Sequence, residues 1–96
     1  MKPSLILKLD QLTLRLAELD ATLQSEDATR DLDRYRAMTM ERAEIEPVVA
    51  RFAEYRNAEA DLQAAAELAR EPDMRDFADE ERTSAQKRMA DIAEDL

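Results

Sequence analysis

Pro3-Ser4-Leu5-Ile6-Leu7-Lys8-Leu9-Asp10-Gln11-Leu12-Thr13-Leu14-Arg15-Leu16-Ala17-Glu18-Leu19-Asp20-Ala21-Thr22-Leu23-Gln24 is the stretch whose reading decides the fold class of this chain. Leu5, Leu9, Leu12, Leu16, Leu19 and Leu23 recur at spacings of 4, 3, 4, 3 and 4. An α-helix turns once in about 3.6 residues, so these leucines line one stripe of a helix. A stripe of this period, kept over about three heptads, calls for packing against long partner helices. Leu7 and Leu14 fall off the stripe and are expected to widen the buried face. Pro3 or Ser4 sits at the entry, where the missing proline N–H costs nothing. The polar face carries the acids Asp10, Glu18 and Asp20, so attraction to an anionic lipid surface is weak and helix packing is the better reading.

Beyond this block, Ser25-Glu26-Asp27-Ala28-Thr29 is the most loop-like run. Its polar side chains suit the capping of a following helix, with Asp27 or Asp31 as the cap. A second helical block is expected over residues 29–70. Leu32, Tyr35, Met38, Ile45, Val49, Phe52, Tyr55 and Leu62 form a slowly drifting apolar face, which Ala66 and Ala69 continue while Leu68 falls to one side. Ala64-Ala65-Ala66 marks a strong helix former or a close approach of two helices. Pro47 interrupts the block, because an internal proline removes a hydrogen bond and crowds the preceding turn at a cost of about 3 kcal/mol. Two arrangements fit: one long helix kinked near Pro47, or two helices with Pro47 opening the second. The first is preferred. Glu71-Pro72-Asp73 is the next break, and Asp73 and Asp76 favour a helix N-terminus there through the backbone dipole. Met74, Phe77, Ala78, Ala85, Met89, Ile92 and Leu96 then recur at helical spacing. This third block reaches Leu96 without a capping signal, which suggests a cut helix whose exposed apolar surface would favour weak self-association. The expected fold is all-α: an elongated, antiparallel, coiled-coil-like three-helix bundle forming a single domain over residues 1–96.

Composition narrows the function. Of 96 residues, 39% are charged, with two Phe, two Tyr and no Trp, so thin helix-to-helix seams are expected in place of a thick core. Cysteine is absent, which removes disulfides and thiolate chemistry and fits a reducing cytoplasm. No apolar run approaches the roughly 18 residues of a membrane span, and no signal-peptide pattern opens the chain. The formal net charge of −9 speaks against direct nucleic-acid binding, which draws its affinity from a basic stripe. An acidic helical surface suits a basic protein partner, or simply keeps the domain soluble.

Catalytic and metal chemistry find no support. The chain has no histidine, so a di-metal bundle with Glu-x-x-His motifs and an imidazole-assisted nucleophile are both excluded. It has no glycine, so phosphate-cradling and dinucleotide-binding loops are excluded as well. Acid pairs such as Glu80 and Glu81, or Asp31 and Asp33, lie among polar residues on exposed helix faces, without the burial that splits a catalytic pair. Met38, Met40, Met74 and Met89 could form an adaptable groove but are better read as gap fillers in thin seams. No catalytic, cofactor or metal residue is assigned.

Four segments carry a resemblance. Met1-Lys2-Pro3-Ser4, Tyr35-Arg36-Ala37, Glu44-Ile45-Glu46-Pro47-Val48-Val49 with Phe52 and Tyr55 after it, and Glu71-Pro72-Asp73-Met74-Arg75-Asp76-Phe77-Ala78-Asp79-Glu80-Glu81 follow one another in the order and spacing of a known family. Over essentially the whole chain they resemble the N-terminal helical domain of the bacterial class I peptide chain release factors. The first and last of these runs look more like the factor 1 branch than factor 2. The family reads stop codons through a Pro-x-Thr type tripeptide and promotes peptidyl-tRNA hydrolysis through a Gly-Gly-Gln loop. Neither is present here, because glycine is absent and no proline is followed two residues on by threonine. The resemblance therefore implies a fragment of a longer release factor, without activity of its own. It implies docking at the stalk base and GTPase-associated region of the large ribosomal subunit, and contact with the partner release-factor GTPase. The outward faces of residues 29–42 and 73–95 are the expected docking surfaces. A stand-alone coiled-coil adaptor or oligomerisation protein is the alternative, since the leucine seam serves both.

Overall fold

The computed structural model describes residues 1–96 and contains three α-helices and no strand: α1 (Pro3–Leu23), α2 (Leu32–Leu68) and α3 (Arg75–Asp95), the last preceded by one 3-10 turn at Pro72–Met74. The all-α class expected from the leucine spacing is the one observed. The chain forms two compact units, Met1–Ala50 and Arg51–Leu96, and α2 contributes residues to both.

In the first unit, α1 opens with Pro3 at its first position, and the Lys2 carbonyl accepts from the N–H groups of Leu5 and Ile6. Its end is made without glycine or any positive-φ residue. Gln24 stays right-handed and donates its N–H to the Asp20 carbonyl. The Ser25 hydroxyl donates to the Thr22 carbonyl at 2.7 Å, satisfying one of the acceptors that a helix end leaves open. After two tight turns, Asp31 caps α2: its Oδ1 accepts from the Arg34 N–H at 3.1 Å, three residues on. Of the two candidate caps, Asp31 is the one used, and Asp27 instead lies 3.1 Å from the Ser25 hydroxyl. This cap is also why α2 starts at Leu32 and not at residue 29. The two segments run antiparallel, with Leu23 sharing a cleft with Arg34 and Met38 while Arg15 reaches Glu41.

All six seam leucines face inward: Leu9 and Leu19 are buried, and Leu5, Leu12, Leu16 and Leu23 are half-buried. Leu7 and Leu14 do not widen the face. They are 60% and 66% exposed, because a position seven residues from its like, off the stripe, stays on the outer side of the helix. Leu32 is also exposed, at the first helical position beside the capped turn. Met38 is half-buried, but Met40 is 67% exposed and fills no gap.

α2 runs unbroken through Pro47 for 37 residues, so the alternative of a new helix beginning at Pro47 does not occur. With no N–H, Pro47 offers nothing to the carbonyl of Ala43 one turn back. Helical bonding on either side carries the chain past that gap.

In the second unit, α2 and α3 are antiparallel, with Arg51 bonded to Asp95 and Asp61 to Arg88. Phe52, Tyr55, Ala58 and Ala65 are buried on the α2 side and Ala78, Ala85 and Ile92 on the α3 side. The rings of Phe52 and Tyr55 stack with centroids 6.2 Å apart, and the Arg56 guanidinium lies 4.9 Å over Phe52. Four buried alanines in one short unit mean that this seam closes on small side chains, so backbone and methyl contacts replace bulky interdigitation. The inward position in the alanine run is Ala65, with Leu68 and Ala69 half-buried; Ala66, expected on the face, is exposed. Phe77, also expected inside, is 50% exposed.

Candidate docking surfaces

Residues 29–42 and 73–95 differ in chemistry more than a uniformly acidic surface would suggest. The first segment holds four basic residues against three acidic ones, so it is weakly positive. Arg30, Arg34 and Arg36 are exposed there and enter no ion pair. A cleft of about 150 Å³ at the bend is lined by Thr22, Ser25, Asp27, Arg30, Asp31 and Arg34, where two carboxylates offset the two guanidinia. Glu41 and Arg42, at the end of the segment, are drawn into pairs that tie α2 to α1. Arg15 grips Glu41 through Nε and Nη2, both at 2.7 Å, and Arg42 pairs with Asp20 and with Glu46 at 2.6 Å. The hydrogen bonds from Arg15, reinforced by its charge and opposed by desolvation, hold the Glu41 carboxyl below its ordinary value. The bond to Asp20 likewise raises Arg42, and bonds to Glu54 and then Asp95 raise Arg51. These shifts fix the charged forms. They are opposite in sense to a carboxyl poised to donate a proton.

The second segment holds twice as many acidic residues as basic ones, eight against four. Its distal part is neutralised by pairing: Lys87 with Asp91 at 3.0 Å, Arg88 with Asp61 at 2.9 Å, and Asp95 with Arg51 at 2.6 Å. The excess charge therefore gathers near the start of α3, where Asp73, Asp76, Glu80 and Glu81 have no ion-pair partner. Asp73 and Asp76 stand in the first turns, where the helix dipole welcomes them. Glu80 and Glu81 lie beyond the first turn and gain little from it. Beside them a groove of about 220 Å³ is bounded by Ala64, Ala65 and Leu68 of α2 and Phe77 of α3, with Asp61 and Glu81 at its edge. No three or more carboxylates converge as a metal cluster, and no helix is long and apolar enough to cross a membrane.

The class the structure defines is an all-α chain with charged, partly apolar helix surfaces. Residues 12–96 match the family described as the PCRF domain, and the chain belongs to that family. It is 52% identical over all 96 residues to peptide chain release factor 1 of Burkholderia thailandensis, covering 27% of that protein. It is 52% identical over 92 residues to peptide chain release factor 1 of Polynucleobacter asymbioticus, covering 26% of it. The chain thus spans about a quarter of the length of the curated relatives it matches. No solved structure matches it. The resemblance carried by the quoted segments, including the factor 1 branch, is the relationship these comparisons show.

What the sequence reading missed is the partition of charge. Individual acids could be counted, but which of them would be neutralised depended on the pairing of α2 with α1 and α3. Phe77 sits at helical spacing with Ala78 and Ala85, and only its position beyond the edge of the alanine seam leaves it outside.

Proposed function

We propose that this chain is the N-terminal domain of a stop-codon-decoding release factor and serves translation termination in the cytoplasm as a docking module. The observation that carries the reading is similarity at 52% identity along the entire chain to release factor 1 proteins, in a segment with no glycine and no histidine from which to build a catalytic loop. Decoding and hydrolysis belong to other parts of such a protein. The role left to this domain is to hold the factor against protein surfaces, namely the stalk base and GTPase-associated region of the large subunit and the partner release-factor GTPase. A net charge of −9 favours basic protein partners over RNA phosphates.

Sedimentation of the chain with purified bacterial ribosomes through a sucrose cushion tests this. Saturable co-sedimentation that weakens as salt rises is expected. Absence of saturable binding to ribosomes, to isolated stalk-base proteins and to the partner GTPase would overturn the docking role. Accelerated peptidyl-tRNA hydrolysis by the chain alone would overturn the non-catalytic reading.

A further inference from the structure

The groove between Leu68 and Phe77 combines three properties. It is apolar at its floor, where Ala64, Ala65 and Leu68 face the Phe77 ring. It keeps a half-exposed phenyl group at its lip. Of the two carboxylates at its edge, Asp61 is paired with Arg88 while Glu81 has no ion-pair partner, and the acidic run that leads up to Glu81 is largely unneutralised. Residues 71–81 hold six acidic residues and one basic one, Arg75, and Glu71, Asp73, Asp76, Glu80 and Glu81 enter no ion pair. Glu80 and Glu81 follow Phe77 by three and four residues, so they share its face of α3, and Glu81 itself lines the groove.

Helix stability does not account for this arrangement. An exposed phenyl group gives no burial energy, and neighbouring like charges at Glu80 and Glu81 repel each other and gain nothing from a dipole that fades after the first turn. A binding surface does account for it. Aromatic residues are enriched at the centre of protein interfaces and polar groups at the rim, where the apolar contact supplies affinity and charge selects the partner. The volume, about 220 Å³, falls below the roughly 300–1,000 Å³ of small-molecule sites. It suits an aliphatic side chain carried on a larger ligand.

The geometry points to this groove as the docking site for a basic protein segment, one that sets a leucine, isoleucine or methionine against Phe77 and Leu68 and places lysines or arginines opposite Glu80, Glu81 and Asp73. Charge complementarity selects this occupant. A second copy of the chain would bring the same acidic run against itself, and nucleic acid or an anionic membrane would be repelled. The inference rests on the docking reading above and names the surface and the chemistry of its partner.

The test titrates the chain, labelled with nitrogen-15, with a synthetic amphipathic helix made only of leucine and lysine. Saturable shifts centred on Leu68, Phe77, Glu80 and Glu81 are expected. Phe77→Ala should weaken binding about tenfold, the loss typical of an aromatic anchor. Glu80→Gln with Glu81→Gln should weaken it mainly at low salt. Because Phe77 is half-exposed, its variant keeps the fold, which unchanged resonances of Ala58, Ala85 and Ile92, buried in the same unit but outside the groove, verify. Equal binding of a lysine-only peptide, shifts scattered over all acidic residues, shifts centred on Arg30 to Arg36, or unaltered affinity of Phe77→Ala would each overturn the proposal. Ribosome sedimentation of the same variant separates this from the broader reading. If the parent chain co-sediments and Phe77→Ala does so equally well, docking stands and this surface falls. If the parent chain does not co-sediment at all, the docking reading falls on its own account.

Discussion

Arg15 of α1 and Glu41 of α2 form a two-pronged ion pair, Nε to Oε2 and Nη2 to Oε1, each at 2.7 Å. Two parallel bonds between a planar guanidinium and a planar carboxylate fix orientation as well as distance. A leucine seam alone tolerates sliding by a heptad, since one leucine can replace another. The Arg15–Glu41 fork, with Arg42 on Asp20, sets which leucine of α1 lies opposite which turn of α2.

That pair gives the first prediction, in its pH dependence. Arg15 holds the Glu41 carboxyl below its ordinary value of 4.5, so the contribution of the pair is fully present above that value. It is lost as pH falls through the lower value of the folded state. Glu41→Gln should therefore lower Tm slightly at neutral pH, and the gap to the parent chain should close under acid conditions. The effect is small because both side chains are partly exposed. Parallel melting curves across acid and neutral pH check it, and a gap that stayed constant would show that the carboxylate charge is not what matters.

The leucines of α1 supply a paired prediction. Leu19 is fully buried, and Leu19→Ala should cost about 2–5 kcal/mol through lost burial and the cavity left behind. Leu14, 66% exposed, should change stability by less than about 0.5 kcal/mol when replaced by alanine. Urea denaturation of the two variants measures both. Similar losses would contradict the placement of the seam.

The same leucines show what could be read from the chain. Heptad spacing identified the six inward leucines of α1, because leucine against lysine or aspartate is a strong contrast. It did not single out the half-buried Ile6, and Leu7 and Leu14, expected inside, are exposed. It failed at Ala64-Ala65-Ala66, where neighbouring residues are identical and no contrast tells which one turns inward. Ala58 was missed for the same reason: alanine carries too weak a signal to mark a face, although it is fully buried here. The surface was harder still. Residues 29–42 and 73–95 were both expected to dock through acidity, yet the first is weakly basic and the second is neutralised along its distal half. Ion pairs between helices depend on register, and register is not written in any single stretch.

The alanine seam of the second unit should resist enlargement. Ala85 is fully buried, so Ala85→Leu forces in three extra carbons where small side chains let the helices close. A loss of about 1–3 kcal/mol is expected from such overpacking. Ala85→Ser, close in size, should cost less. Thermal denaturation of both variants ranks them. A stabilising leucine would mean that the seam has unfilled space.

Asp31 sets where α2 begins. Replacing it with alanine removes the acceptor for the Arg34 N–H and should cost about 1 kcal/mol. Hydrogen exchange should quicken first at Arg34 and Tyr35, whose amides bond to Asp31 through Oδ1 and the carbonyl respectively. Asp27→Ala should leave both amides unchanged, because Asp27 lies against the Ser25 hydroxyl and caps nothing in α2. Equal effects from the two substitutions would remove the distinction.

Pro47 is the one residue in α2 that opposes the helix containing it. An interior proline is about 3 kcal/mol less favourable than alanine in a helix, because it lacks the N–H and crowds the turn before it. Replacing it frees the unfolded chain and gives back about 1 kcal/mol of that gain as entropy. Pro47→Ala should therefore stabilise the chain, by at most about 2 kcal/mol, with new exchange protection at position 47 as its amide bonds to the Ala43 carbonyl. Chemical denaturation with hydrogen exchange on the same variant decides the matter. A destabilised variant would mean that the backbone shape imposed by proline is itself required for packing. The residue would then count among those that build the fold, and no longer as an interruption that the helix survives.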